Sequence, residues 1–212
     1  MDKIDQLIIA PHSDDETLGC GGILDKNSFV FYCGIDETKV KEVVNDPEHR
    51  IEENERLKEI KAVSGFLGFN FKVNQALVNH YEVVPMAVAI EKIINELKPD
   101  KIFVPSPNTY NQDHQTVYKA CQIALRPHDK NFFVKKVLVW ECPCSILFQE
   151  NPLSPTYLVP IDIERKLKAY SLQPSQVRGM RSPDKLRALA KLRGAAANCE
   201  YAEGFHVERW VD

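Results

Sequence analysis

Short apolar runs that stop at a proline or a turn, each followed by a stretch with helical period, recur along this chain as far as Trp140. That alternation constrains the fold more than any other feature. Gln6–Ala10 (QLIIA, closed by Pro11), Ser28–Cys33 (SFVFYC), Phe69–Val73 (FNFKV), Lys101–Val104 (KIFV, closed by Pro105) and Val134–Trp140 (VKKVLVW) read as strands. Leu57, Ile60 and Leu67 mark one intervening helix. Met86, Ile90, Ile93, Ile94 and Leu97 mark a second that ends before Pro99, and Val117, Ala120, Cys121 and Ala124 a third that stops before Pro127. Strands that return after each helix call for right-handed βαβ units and a mostly parallel sheet between two helical layers. The expected fold class is α/β, a three-layer α/β/α arrangement in a single domain over residues 1–212.

Beyond Trp140 the pattern loosens. Residues 142–162 hold Pro143, Pro152, Pro155 and Pro160 and read as irregular loop or edge structure. Ile163–Tyr170 and Pro183–Cys199 read as helices, the second with Pro183 in its first turn. The polar segment Gly34–Arg50 reads as a flap. The charge balance, 27 Lys plus Arg against 30 Asp plus Glu, includes no long basic run, which argues against a nucleic-acid surface. No run approaches the ~20 apolar residues of a membrane span. The opening Met-Asp-Lys-Ile-Asp does not resemble a signal peptide, so a cytoplasmic location is expected. Cys20, Cys33, Cys121, Cys142, Cys144 and Cys199 form no CxxC pair and read as reduced, buried thiols. The i,i+2 spacing of Cys142 and Cys144 is not the usual spacing for zinc.

Two loops carry polar residues that a core would not need. Pro11-His12-Ser13-Asp14-Asp15-Glu16-Thr17 begins where the first strand ends, the edge at which open α/β sheets bind ligands. Three consecutive acids repel one another, so they either complement a helix dipole or face a cation. The glycines that follow, Gly19, Gly21 and Gly22, match neither a dinucleotide nor a P-loop spacing. Pro105-Ser106-Pro107-Asn108-Thr109-Tyr110-Asn111-Gln112-Asp113-His114 follows the fourth strand and opens a helix, at the same sheet edge. His12, one carboxylate of the first loop and His114 would give a tetrahedral zinc ion two imidazoles and one carboxylate. The fourth position would stay open for water, with a second carboxylate nearby to take its proton.

These residues resemble a known family. PHSDDETLGCGG is similar to the first motif of the PIG-L/LmbE family of zinc-dependent N-acetyl-sugar deacetylases, and NQDHQTVYKA to its later motif. Arg56…Glu59…Ala62…Leu67-Gly68 resembles the family's intervening helix. Lys168…Tyr170…Gln176…Arg193-Gly194…Tyr201-Ala-Glu-Gly-Phe205 resembles its closing pattern, so the resemblance runs in order from about residue 5 to 206. It implies a Rossmann-like fold, a Zn2+ cofactor and a small N-acetylglucosamine-type sugar or glycoside as partner, with acetate and a free amine as products. Subunit assembly, as a homo-oligomer or otherwise, stays open.

The resemblance also implies roles. His12, Asp15 and His114 match the metal ligands and Asp14 the general base, a distinction that spacing alone does not make. Asp113 matches a carboxylate that orients His12 or Asp14, and Arg56 a substrate-binding arginine, with an i,i+3 salt bridge to Glu59 as the plain alternative. Ser13 stands where the motif has proline. Asn111 stands where the commoner pattern has histidine; asparagine can donate to an oxyanion but cannot deliver a proton. The leaving amine must then be protonated by Asp14 or by another residue such as His206. Two other readings stay open: a metal-dependent C–N hydrolase of another small molecule, and a sugar-binding relative without catalysis.

Overall fold

β1 (Gln6–Ala10) lies at the heart of a computed structural model that describes residues 3–35, 53–141 and 154–212. Every residue of the strand is buried, Gln6 included, because both faces of the strand are covered. Ile8 and Ala10 point into one core with Leu18, Ile60, Tyr170 and Leu186. Leu7 and Ile9 point into the other with Met86, Ile90, Val117 and Ala120. The two cores are the two interfaces of a three-layer α/β/α sandwich.

β1 pairs in parallel with β2 (Ser28–Tyr32) on one side, Ile8 opposite Val30, and with β4 (Lys101–Val104) on the other, Ile8 opposite Phe103. β3 (Asn70–Val73) adds beyond β2 and β5 (Lys136–Trp140) beyond β4, both parallel; with β6 (Tyr157–Pro160) and β7 (Ala202–Trp210) the sheet has seven strands in the order β3-β2-β1-β4-β5-β7-β6. The helices α1 (Asp15–Cys20), α2 (Glu53–Leu67), α5 (Ile163–Ser171) and α6 (Pro183–Ala196) cover the first core. α3 (Val83–Leu97) and α4 (Gln112–Ala124) cover the second. The apolar stripe expected on α3 is the stripe that is buried, and Lys98 ends the helix in the left-handed conformation ahead of Pro99. Gly68, at φ +92°, ends α2 in the same way, its N–H 2.7 Å from the Ser64 carbonyl.

The sheet departs from the expected strands at one edge. β7 (Ala202–Trp210) runs antiparallel between β5 and β6 (Tyr157–Pro160). Neither run is continuously apolar. β7 buries only its first four residues and carries His206, Glu208 and Arg209 beyond them, whereas β6 is a half-exposed edge strand that ends on Pro160. The last helix stops at Ala196 rather than Cys199, because Asn198 turns to positive φ. Cys20, Cys33 and Cys121 are free and buried and Cys199 is free and half-buried, while Cys142, Cys144 and most of the expected flap 34–50 lie outside the described residues. Burial pushes the thiols of Cys20, Cys33 and Cys121 well up, which makes them inert. Among the described residues no helix is long and apolar enough to cross a membrane.

Candidate active site and metal centre

The strand order reverses between β1 and β4, so the chain leaves β1 toward α1 on one face and leaves β4 toward α4 on the other. The crevice between those two exits is where an open α/β sheet binds ligands. His12 lies in the turn after β1, Asp15 opens α1, and His114 stands in the first turn of α4. The turn is folded by its own groups. Asp15 Oδ2 accepts the His12 N–H at 2.8 Å, and the Asp14 carbonyl accepts both the Leu18 N–H and the Thr17 hydroxyl at 2.9 Å.

This folding brings three donor atoms together. His12 Nδ1 lies 3.4 Å from Asp15 Oδ2, His114 Nε2 lies 3.3 Å from the same oxygen, and the two ring nitrogens are 3.3 Å apart. Ligand atoms held ~2.0–2.1 Å from a common centre at tetrahedral angles are about 3.3–3.4 Å apart, so the triangle fits one face of a zinc tetrahedron. The three residues could hold a metal ion.

The neighbouring residues fix these side chains. Asp113 Oδ2 lies 2.9 Å from His12 Nε2 and accepts the Asn79 N–H at 2.8 Å. Of the two alternatives for Asp113, the structure thus places it on His12. A carboxylate on Nε2 keeps the proton there and leaves the Nδ1 lone pair facing the other two donors. Trp140 packs edge-on against the His114 ring, with centroids 5.6 Å apart, and donates to the Ile9 carbonyl. Gly19 makes room for that indole, since a Cβ at this position would come 2.6 Å from Trp140 Cε3. Tyr81 donates to the Pro11 carbonyl and stacks beside His12.

Electrostatics fit a cation. Burial opposes a charge on His12, but the Asp113 and Asp15 carboxylates outweigh it and push its pKa up to about 10. Burial likewise works to raise Asp15, yet His114 and His12 hold it well below the usual carboxylate range. Positive charge is therefore demanded between two buried carboxylates, and either a proton or a metal ion can supply it. Asp14, also buried, is raised above the ordinary value by burial and by the charge of Asp15, against the opposing pull of Arg181. Its Oδ2 accepts from Arg181 Nη1.

The remaining expected residues are placed as follows. Asn111 is the N-cap of α4, with its Oδ1 2.9 Å from the Asp113 N–H, and its amide NH2 is the side chain's donor group. Arg56 is buried and donates to Ser13 Oγ at 2.8 Å, which ties the first loop to α2. The Glu59 carboxylate accepts from the Ser175 N–H and hydroxyl. His206 is not brought into the triangle. It is half-buried on β7 opposite Val139, with Nδ1 3.2 Å from the Ser154 carbonyl.

Two residues absent from the sequence reading reach the site from the C-terminal segment. Gln173, fully buried, donates to the Ser13 carbonyl and Glu16 Oε1 and accepts from the Thr17 hydroxyl. Arg181 reaches Asp14. Neither lies in a periodic or motif-like pattern; the nearest signal was the glutamine of the closing pattern, matched to Gln176, three residues past the one that grips the loop.

Residues 7–125 match the family model described as PIG-L, GlcNAc-PI de-N-acetylase. No curated protein matches the chain. Among solved structures, the conserved protein TT1542 from Thermus thermophilus is similar with a TM-score of 0.75 and 24% identity, over 99% of this chain and 96% of that one. The N,N'-diacetylchitobiose deacetylase from Pyrococcus horikoshii gives 0.75 and 20%, over 98% and 85%. GalB, the 4-carboxy-2-hydroxymuconate hydratase from Pseudomonas putida, gives 0.74 and 17%, over 98% of each chain. At such identities these likenesses show the fold alone, and one fold here carries both a deacetylase and a hydratase.

Proposed function

The chain belongs to the PIG-L (GlcNAc-PI de-N-acetylase) family, and from that premise we propose that it is a zinc-dependent hydrolase removing the acetyl group from a small N-acetylglucosamine-type sugar or glycoside. The observation that carries this reading is the triangle of His12, Asp15 and His114 with sides of 3.3–3.4 Å, beside a second buried carboxylate, Asp14, that is not part of it.

Zinc held by His12, Asp15 and His114 would supply a Lewis acid for the acyl oxygen and for water. The chain's own residues do the rest. Asp14 takes the proton from the attacking water as its oxygen bonds to the acyl carbon. The C–N bond then breaks and Asp14 returns that proton to the departing nitrogen, leaving acetate and a free amine. Both transfers are assigned to Asp14 because His206 sits on β7 against the Ser154 carbonyl. Asn111, its oxygen committed to the helix cap, offers its amide NH2 to the charge that develops on the acyl oxygen. Asp113 orients His12, and Arg56 shapes the loop through Ser13.

Acetate release from N-acetyl-D-glucosamine, its glycosides and unrelated N-acetyl amines tests the reading. The zinc-loaded protein should turn over the sugars and lose activity on chelation. Turnover of the unrelated amines alone would replace the sugar substrate, and no acetate from any of them would overturn the reading.

A further inference from the structure

The loop that carries Asp14 is held from two directions. Its backbone is pinned locally, the Asp14 carbonyl accepting from Leu18 and Thr17. Its carboxylate is held from far along the chain, beyond the residues 7–125 that match the family, by Arg181 on Oδ2. Arg181 ends a short turn, Gly179–Arg181, in which its own N–H lies 2.8 Å from the Arg178 carbonyl, just ahead of α6. Rotation of a carboxylate about its last bond is broad and two-fold, so backbone anchoring alone does not decide which oxygen faces the crevice. The charge-assisted hydrogen bond from Arg181 Nη1 does decide it, because it ties down Oδ2 and not Oδ1.

We propose that Arg181 is a positioning residue for the reaction: by holding Asp14 Oδ2 it presents Oδ1 to the water and to the leaving nitrogen. This rests on the deacetylase reading above, and it makes the C-terminal segment a part of the site. Arg181 acts through Asp14.

The test uses zinc-loaded full-length protein, with N-acetyl-D-glucosamine and its β-methyl glycoside as probes. Arg181→Ala should lower kcat on the order of 10²-fold, as about 1 Å of misplacement does, with KM and zinc content near wild type. Added guanidinium should restore part of kcat, and Arg181→Lys should fall between the two. Wild-type kcat in Arg181→Ala, or loss of zinc along with the rate, would overturn the assignment. A second measurement needs no turnover. Arg181→Ala should lower the melting temperature in the wild-type background but not in Asp14→Asn, where no charge is left to hold; equal drops in both backgrounds would overturn it. A wild type that releases no acetate would sink the deacetylase reading, while the melting comparison would still decide whether Arg181 holds Asp14.

Discussion

Asp113 offers a clean separation of charge from shape. One of its oxygens, Oδ2, takes both the His12 ring N–H at 2.9 Å and the Asn79 backbone N–H at 2.8 Å. Asp113→Asn with its amide oxygen at that position keeps both hydrogen bonds and removes only the charge. Asp113→Ala removes both bonds and leaves the Asn79 N–H without its acceptor. Loss of such an outer partner weakens metal binding about 10–100-fold. The Asn variant should therefore fall near ~10-fold, about 1.4 kcal/mol, and the Ala variant near ~100-fold. Zinc affinity is read by competition against a chromophoric chelator, with melting curves to verify folding. The charge also matters for protons. The metal-free His12 holds its proton up to about pH 10, so zinc must displace it, and affinity should rise with pH across the neutral range. Wild-type zinc affinity in both variants would refute the claim that Asp113 orients His12 as a ligand.

Glu16 and Asn111, in the same neighbourhood, give further outcomes. Glu16 is buried with Oε2 unpartnered, and its pKa is pushed up to about 8, first by burial and then by the charge of Asp14. The folded state therefore holds a proton that the unfolded state has lost, so this residue's contribution to stability falls as pH rises from about 4.5 to about 8. Glu16→Gln should remove that fall and melt higher than wild type above pH 8, by ~2–4 °C for each kcal/mol recovered; an unchanged slope of melting temperature with pH would contradict it. Asn111→Ala should cost about 0.5–2 kcal/mol through the lost cap of α4, measured by denaturant unfolding, whatever it does to turnover. Asn111→Asp, which retains the cap acceptor, should recover the stability but not the rate, because it has no NH2 to donate.

The central strands were legible because burial on both faces demands consecutive apolar residues, and residues 7–10 and 102–104 are such runs. The closeness of His12, Asp15 and His114 was legible because they stand at the ends of those strands, where two loops with His and Asp leave one sheet edge. Spacing alone did not separate Asp14 from Asp15. The fold separates them by turning Asp15 toward the two imidazoles and Asp14 toward Arg181. β7 escaped the sequence reading because only its first four residues are buried and charged groups follow. Gln173 and Arg181 escaped because a single side chain that crosses from a distant turn leaves no period in the sequence. Asn111 drew a donor role from its position in the motif, yet an asparagine just ahead of a helical run is equally a capping signal, and its oxygen does cap.

The division of labour between the two adjacent acids is the heart of the account, and zinc content measured together with acetate release in Asp14→Asn and Asp15→Asn tests it directly. Asp14→Asn should keep zinc at the wild-type level while releasing acetate ~10²-fold or more slowly, since a base is lost but no ligand. Asp15→Asn should bind zinc poorly. The reverse pattern, zinc lost from Asp14→Asn and retained in Asp15→Asn, would contradict the account.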